Sequence, residues 1–426
     1  MHPKVLLEAC TELVALTLKF EHPADAVVAR FFRQNRGLGP RERQSLSDTV
    51  FAVLRYKLRF EHLAPSGSGP KERRLAILGF AQGVGARDYL KGALTDREKD
   101  WLDQCDAVRA EDLLERHRHN LPEWLATALK AQLGDGFWPL VQSLEQGAAL
   151  DLRVNLAKGK REEVLRRLAD AGVKASPTPY SPWGLRLADK PGLQGLDVYR
   201  EGLIEVQDEG SQMLALLLDA RRGEMVADFC AGAGGKTLAI GACMRNTGRL
   251  YAFDTSAHRL DALGPRLARS GLSNVHPAAI APERDDRIKR LAGKMDRVLV
   301  DAPCSGLGTL RRNPDLKWRQ TPQSVAALAV TQGAILASAA RLVKPGGRLV
   351  YATCSLLADE NEAVATAFSA AQQRDFVPLD VATVLNGLKV QTHAGTPQAL
   401  CHNGFLRLWP HQHATDGFFA AVWERH

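Results

Sequence analysis

The 426-residue sequence holds no CxxC pair, and its seven cysteines, at positions 10, 105, 230, 243, 304, 354 and 401, are odd in number. That pattern excludes a zinc ribbon and a closed disulfide framework, no metal set is expected, and a reducing compartment fits. Internal repeats and low-complexity tracts are also lacking. The first residues, MHPKVLLEACTELVALTLKF, place Glu8 and Glu12 inside their apolar stretch, which the core of a secretion signal does not tolerate, so a cytoplasmic protein is expected. One stretch, 321–340, lacks charge over its whole length. Its Gln323, Ser324, Thr331, Gln332 and Ser338, and the Lys344-Pro345-Gly346-Gly347 turn it runs into, argue for a helix packed on a sheet rather than a membrane span. No exposed apolar heptad pattern is present, so a monomer is expected.

What is present is a soluble globular composition, 45% hydrophobic and 24% charged, in a chain long enough for about three domains. The net charge of +8 is unevenly placed. Between Arg30 and Arg59, eight basic residues (Arg30, Arg33, Arg36, Arg41, Arg43, Arg55, Lys57, Arg59) face Glu42 and Asp48, a local net of +6. A basic face attracts a polyanion by counterion release, which points to nucleic acid; a solvated helix face is the plainer alternative.

Residues 1–145 read as a helical domain, with apolar residues at three-to-four spacing and a loop around Pro65, Gly67, Gly69 and Pro70. Residues 146–205 read as a small α+β connecting module: strand LDLRVN, helix KREEVLRRLADAG ended by Gly172, strand WGLRLAD. Residues 206–426 alternate strand and helix, through MVADF, KTLAIGACM, GRLYAFD, AHRLDALGPRLARS, NVHPAAIA and DRVLVDAP. The Ala-rich helix, GRLVYATCS, the helix DENEAVATAFSAAQQ and a closing strand pair within FLRLWPHQHATDGFFAAVWER follow. This alternation predicts an α/β, Rossmann-like domain with a mostly parallel sheet that binds its ligands at the C-terminal strand ends.

After the first strand of that domain comes DFCAGAGGKT, a turn of small residues opening a helix, which lets a ligand approach the backbone and free N–H groups. Asp254 ends the second strand, where a carboxylate can hold ribose hydroxyls. Together they indicate an adenosine-containing cofactor. A phosphate-binding P-loop fails on spacing, because its first glycine would fall on Cys230. Two later strands run into Asp301-Ala302-Pro303-Cys304-Ser305 and Thr353-Cys354-Ser355, so both cysteines emerge on the binding edge. Cys243 and Cys401, by contrast, read as small core residues.

A thiol there has a chemical use. Carbon 5 of cytosine is too poor a nucleophile to attack a methyl sulfonium; adding a thiolate to carbon 6 converts it into an enamine that can. Asp301 beside the base and Lys236 beside the thiolate would assist, and a paired base would have to be flipped out. These motifs alone leave the order of Cys304 and Cys354 open.

The segments VQDEGSQ, DFCAGAGGKT, DAPCSGLGTLRRNPDLKW, KPGGRLVYATCS with DENE after it, and TDGFFAAVW resemble the Sun/Fmu-type RNA cytosine-5 methyltransferase family, which includes bacterial small-subunit rRNA enzymes. The resemblance implies a class I S-adenosylmethionine methyltransferase domain with Cys354 as nucleophile and Cys304 aiding product release. It assigns the cofactor to Cys230, Ala231, Gly232, Ala233, Gly234, Gly235 and Lys236, with Asp254 and Asp301 as further contacts. The family turn often reads CAAPGGK, and this chain lacks its proline. The family's adenine-contacting Asp is also missing, leaving Glu283 or Asp285 as substitutes. FFRQNRGLGPRERQ and VFAVLRYKLRF resemble the NusB-like helical domain of such enzymes. RNA phosphates are accordingly expected on Arg33 and Arg36, on Arg311, Arg312, Lys317 and Arg319 after Cys304, and on Arg153 and Asn155. The resemblance implies an enzyme that methylates 16S rRNA. An RNA-binding assembly factor with a vestigial methyltransferase fold, or a tRNA or DNA enzyme, are the alternatives. The modified cytosine, and the choice between naked RNA and a ribosomal particle, are not encoded in readable form.

Overall fold

The computed structural model describes residues 1–281, 285–388 and 396–426. The chain forms two compact units, Met1–Gly147 with Thr309–Pro322, and Ala148–Gly308 with Gln323–His426.

Every regular element of the first unit is helical, from Pro3–Thr17 to Phe137–Leu144. The helix Pro3–Thr17 buries Leu6, Leu7, Cys10, Leu13 and Val14, the three-to-four spacing that turns one face inward. Glycines permit a close crossing of Pro40–Arg55 and Lys71–Gly83: a Cβ on Gly83 would meet the Asp48 carbonyl at 2.4 Å. Thr309–Pro322 is tied into this unit. Trp318 Nε1 donates to Leu54 O at 2.7 Å, Lys317 Nζ to Arg55 O at 2.8 Å, and Arg55 Nη2 to Arg311 O at 2.8 Å. Asp315 accepts from Ala24 N at 3.2 Å. The sequence pattern runs through this stretch without a break; only the packing assigns it to the helices.

The second unit holds two sheets. Strands β1 (Leu150–Val154), β2 (Ala175–Pro177), β3 (Gly184–Leu187) and β4 (Ile204–Val206) form an antiparallel sheet in the order β2-β3-β1-β4. The helix Arg161–Asp170 accompanies it, and Gly172 lies past that helix's end at φ +75°, a left-handed position that suits glycine. The larger sheet begins with β5 (Met225–Asp228), β6 (Arg249–Asp254), β7 (Val275–Ala279), β8 (Met295–Asp301) and β9 (Val343–Thr353), followed by β10 (Phe376–Leu379), β11 (Cys401–His402), β12 (Phe405–Leu408) and β13 (Phe418–Arg425). Its order is β11-β12-β13-β9-β8-β5-β6-β7, parallel from β9 to β7, with β13 antiparallel to β9 and carrying β10. Pro277 is accommodated because β7 is an edge strand.

This is the expected Rossmann-like architecture after a helical region. Two local readings differ. Lys344-Pro345-Gly346-Gly347 lies within β9 beside an irregularity in its pairing with β8, with Gly346 at φ +72°, instead of turning ahead of the strand. Asp359, Glu360 and Asn361 of the DENE stretch precede the helix, which starts at Glu362. The apolar helix Pro322–Ala340 is long enough to cross a membrane by length and composition; here it is the crossover from β8 to β9, with Leu336, Ala339 and Ala340 in a core shared with strand residues Val298, Leu349 and Tyr351.

Candidate active site

In the strand order, β5 lies between β8 and β6, so the direction of chain progression reverses there and a crevice opens at the C-terminal strand ends. The turn after β5 leads into the helix Gly235–Cys243. Gly232 and Gly234 have φ of +55° and +81°, a region that favours glycine. A Cβ on Gly234 would strike Leu263 Cδ1 at 2.1 Å, whereas one on Gly232 would meet nothing within 4 Å. One glycine thus packs the turn down and the other leaves room beside it. The turn's carbonyls are held: Arg266 Nη1 donates to Ala233 O at 2.6 Å and Arg153 Nη1 to Gly235 O at 2.7 Å. Asp254 ends β6, accepting from Gly232 N at 2.8 Å and Ser256 N at 2.7 Å.

Asp228, at the end of β5, is buried; its Oδ2 accepts from Thr237 Oγ1 at 2.7 Å, and its Oδ1 is buried with no partner among the described residues. Burial pushes its pKa up to about 7, with Asp301 adding to the shift and Thr237 and Lys236 opposing it. Open space over Gly232, a ribose-competent carboxylate at Asp254 and the orphaned Asp228 oxygen fit a cationic, adenosine-bearing group such as S-adenosylmethionine.

Strands β8 and β9 are parallel neighbours with Asp301 opposite Ala352, so the residues that follow them leave the sheet on one edge. Cys304 Sγ and Cys354 Sγ lie 3.3 Å apart, both part-buried. Lys236 Nζ pairs with Asp301 Oδ2 at 2.7 Å. Burial works against the ammonium, but Asp301 and then Cys354 and Asp228 outweigh it and raise its pKa. The Cys304 pKa is pushed well up, first by the hydrogen bond with Cys354 and then by burial. Burial likewise pushes the Cys243 and Cys401 thiols up to about 12, as befits packing residues.

The phosphate-binding expectations divide. In the basic window Arg30, Arg33, Arg36 and Arg41 are exposed, while Arg55 and Lys57 are engaged with Arg311 O and Glu61. Arg153 is 2% exposed and is spent on Gln207 Oε1 and Gly235 O; Asn155 Nδ2 is spent on Gly202 O and Ser270 O. Arg153 braces the glycine turn, Asn155 ties Gly202 to Ser270, and neither presents a charge to RNA. Arg311 is buried and Arg312 half-buried. Lys317, 5% exposed, donates into the helical unit, and the sequence offered no sign of this because it reads as one more basic residue after Cys304. Asp285 caps the helix Asp286–Arg290, accepting from Arg287 N and Ala281 N; Glu283 lies outside the described residues.

Burial, with Arg55 and Lys57 adding and Glu145 opposing, pulls the Lys317 pKa down to about 7. Folded protein therefore binds fewer protons than unfolded protein between that pH and the ordinary lysine value, and stability rises with pH through this window. Relative to wild type, Lys317→Met is expected to gain roughly 4 °C or more of melting temperature when the pH is lowered from about 9.5 to about 7. Calorimetry at the two pH values checks this; an unchanged difference would mean that Lys317 stays charged when folded.

A parallel-sheet domain with a glycine turn and ribose-side carboxylate, joined to two adjoining thiols, defines an S-adenosylmethionine-dependent methyltransferase that works through a catalytic cysteine. Residues 215–424 match the family described as 16S rRNA methyltransferase RsmB/F, and residues 121–193 match the RsmF/B-like ferredoxin-like domain. A probable ribosomal RNA small subunit methyltransferase B from a Synechocystis species is 32% identical over 97% of this chain and 90% of its own. Its counterpart from Bacillus subtilis is 28% identical over 96% and 88%. A methyltransferase homolog from Pyrococcus horikoshii superposes with a TM-score of 0.61 at 28% identity, covering 73% of this chain and 97% of that one. The chain belongs to the RsmB/F family and is an S-adenosylmethionine-dependent RNA cytosine-5 methyltransferase.

Proposed function

We propose that this enzyme methylates carbon 5 of a cytosine in small-subunit rRNA, with Cys354 as nucleophile and Cys304 as its partner in product release. The single observation that carries this reading is the 3.3 Å separation of the two sulfurs, one of them held as a thiol. The contact with Cys354 and burial hold the Cys304 pKa well up; Lys236, whose charge Cys354 helps to hold, stands near the sulfur that must become an anion. The Cys354 thiolate adds to carbon 6 of the target base, and the electron pair of the 5,6 double bond is delivered at carbon 5. Asp301, fixed by Lys236, is the group that would bind the base edge carrying N3. After methylation the carbon 5 proton leaves to a base, the carbon 6–sulfur bond breaks, and Cys304 is in place to exchange a proton with the departing sulfur.

S-adenosylmethionine supplies an electrophilic methyl group. The turn Cys230–Lys236, Asp254 and Asp301 would hold it, the turn being kept in shape by Arg153 and Arg266. Arg33 and Arg36, exposed in the basic window, bind rRNA phosphates as part of a NusB-like helical region. The enzyme acts as a monomer in the cytoplasm, where unpaired cysteines persist.

The test is methyl transfer from labelled cofactor to naked 16S rRNA, to a tRNA pool and to DNA. Label on carbon 5 of a 16S rRNA cytosine is expected. Preference for tRNA or DNA overturns the substrate; cofactor binding without transfer to any RNA or particle favours an assembly factor instead.

A further inference from the structure

The serine that follows each catalytic-edge cysteine is buried: Ser305 is 1% exposed and Ser355 0%. Both converge on one carboxylate, that of Glu360, itself 0% exposed. Ser305 Oγ donates to Glu360 Oε2 at 2.5 Å, and Ser355 Oγ donates to the same oxygen. The other oxygen, Oε1, accepts from Ser305 N at 2.8 Å and from Gln332 Nε2 at 3.0 Å. Gln332 Nε2 also reaches Pro303 O at 2.9 Å, and Tyr351 Oη donates to the Glu360 carbonyl at 2.6 Å.

A buried carboxylate is costly unless its lone pairs are met, and here they are met by hydrogen-bond donors with no lysine or arginine paired to it among the described residues. Charge-assisted hydrogen bonds are short and directional. Two of them end on the residues next to Cys304 and Cys354, which belong to different loops. We infer that Glu360 is a positioning residue that clamps the Pro-Cys-Ser and Thr-Cys-Ser loops together, setting the distance between the two sulfurs by binding the serine beside each. The next residue serves the second loop as well: Asn361 Nδ2 donates to Ser355 O at 3.0 Å, and Asn361 Oδ1 accepts from Thr353 Oγ1.

This inference rests on the reading that Cys354 and Cys304 are the working pair, so its test is chosen to be readable even if that reading fails. Glu360→Gln keeps the shape but turns one acceptor into a donor facing other donors. It is expected to lower kcat on the order of 100-fold, the scale of a small misplacement of reacting groups, while leaving the cofactor KM within about twofold. Alkylation by iodoacetamide, mapped by mass spectrometry, is expected to change in rate at both Cys304 and Cys354 and at no other cysteine; this readout needs no turnover. Ser355→Ala and Ser305→Ala, which do not leave a charge unpaired at a new site, are each expected to reproduce part of the effect. Adding either to Glu360→Gln should cost less than it does in wild type. Wild-type kcat and alkylation rates in Glu360→Gln would overturn the clamp. So would a loss of kcat matched by lost cofactor binding and a lowered melting temperature while both serine variants behave as wild type. An inert wild-type enzyme with the alkylation pattern still altered would sink the cysteine assignment and leave the clamp standing.

Discussion

Cys354→Ala is expected to remove methyl transfer by at least about 10⁴-fold, and Cys304→Ala to leave RNA covalently attached to Cys354. The two outcomes differ because the two sulfurs have different tasks, one adding to the base and the other standing beside it. Cys304 is kept protonated by its hydrogen bond to Cys354 and by burial. Removing it leaves Cys354 beside Lys236, still able to add to carbon 6, but takes away the proton donor 3.3 Å from the sulfur that has to depart. The adduct then forms and resolves slowly. A denaturing gel with labelled RNA, run with and without cofactor, reads both variants. If Cys304→Ala abolished transfer without an adduct while Cys354→Ala kept turning over, the roles would be exchanged.

Gly308→Ala is expected to disable the enzyme without touching a reacting group. Gly308 N donates to Cys354 O at 2.8 Å, and Gly417 N donates to Gly308 O at 2.8 Å, so the two cysteine loops and the chain entering β13 meet at this glycine. A Cβ there would lie 2.0 Å from Gly417 O and 2.7 Å from Cys354 O, both backbone atoms. Neither neighbour can rotate away, so the backbone carrying Cys354 must shift. Overpacking of this kind costs about 1–3 kcal/mol of stability, and displacement of the nucleophile lowers kcat by roughly 100-fold. Steady-state kinetics beside thermal melting tests it; wild-type kcat in a folded Gly308→Ala would show that the loops have slack.

The parallel sheet was legible in the sequence because its strands are short apolar runs separated by helical spacing, and the glycine turn after its first strand because small residues cluster at one strand end. Both cysteines were visible for the same reason. Glu360 was not, since an acid in the charged run that opens the expected helix DENEAVATAFSAAQQ resembles an ordinary first helical turn. Only the three-dimensional return of that turn beneath Ser305 and Ser355 buries it. Strand β10 escaped notice because Phe376–Leu379 is short and contains Pro378. Arg153 and Lys317 were read as phosphate contacts because charge in sequence does not reveal burial. Arg153 lies on the central strand β1, where its side chain passes inward to Gly235; Lys317 follows a carbonyl acceptor at Arg55 that no local pattern announces.

The attachment of Thr309–Pro322 to the helices bears on the order in which the protein is made. Residues 1–147 leave the ribosome first, yet the carbonyls of Leu54 and Arg55 wait for Trp318 and Lys317, and Trp318 completes apolar packing among those helices. At ordinary elongation rates the interval is roughly ten to thirty seconds. For that time the nascent helical unit presents an open apolar seat, filled only when the strands that carry the glycine turn have already emerged.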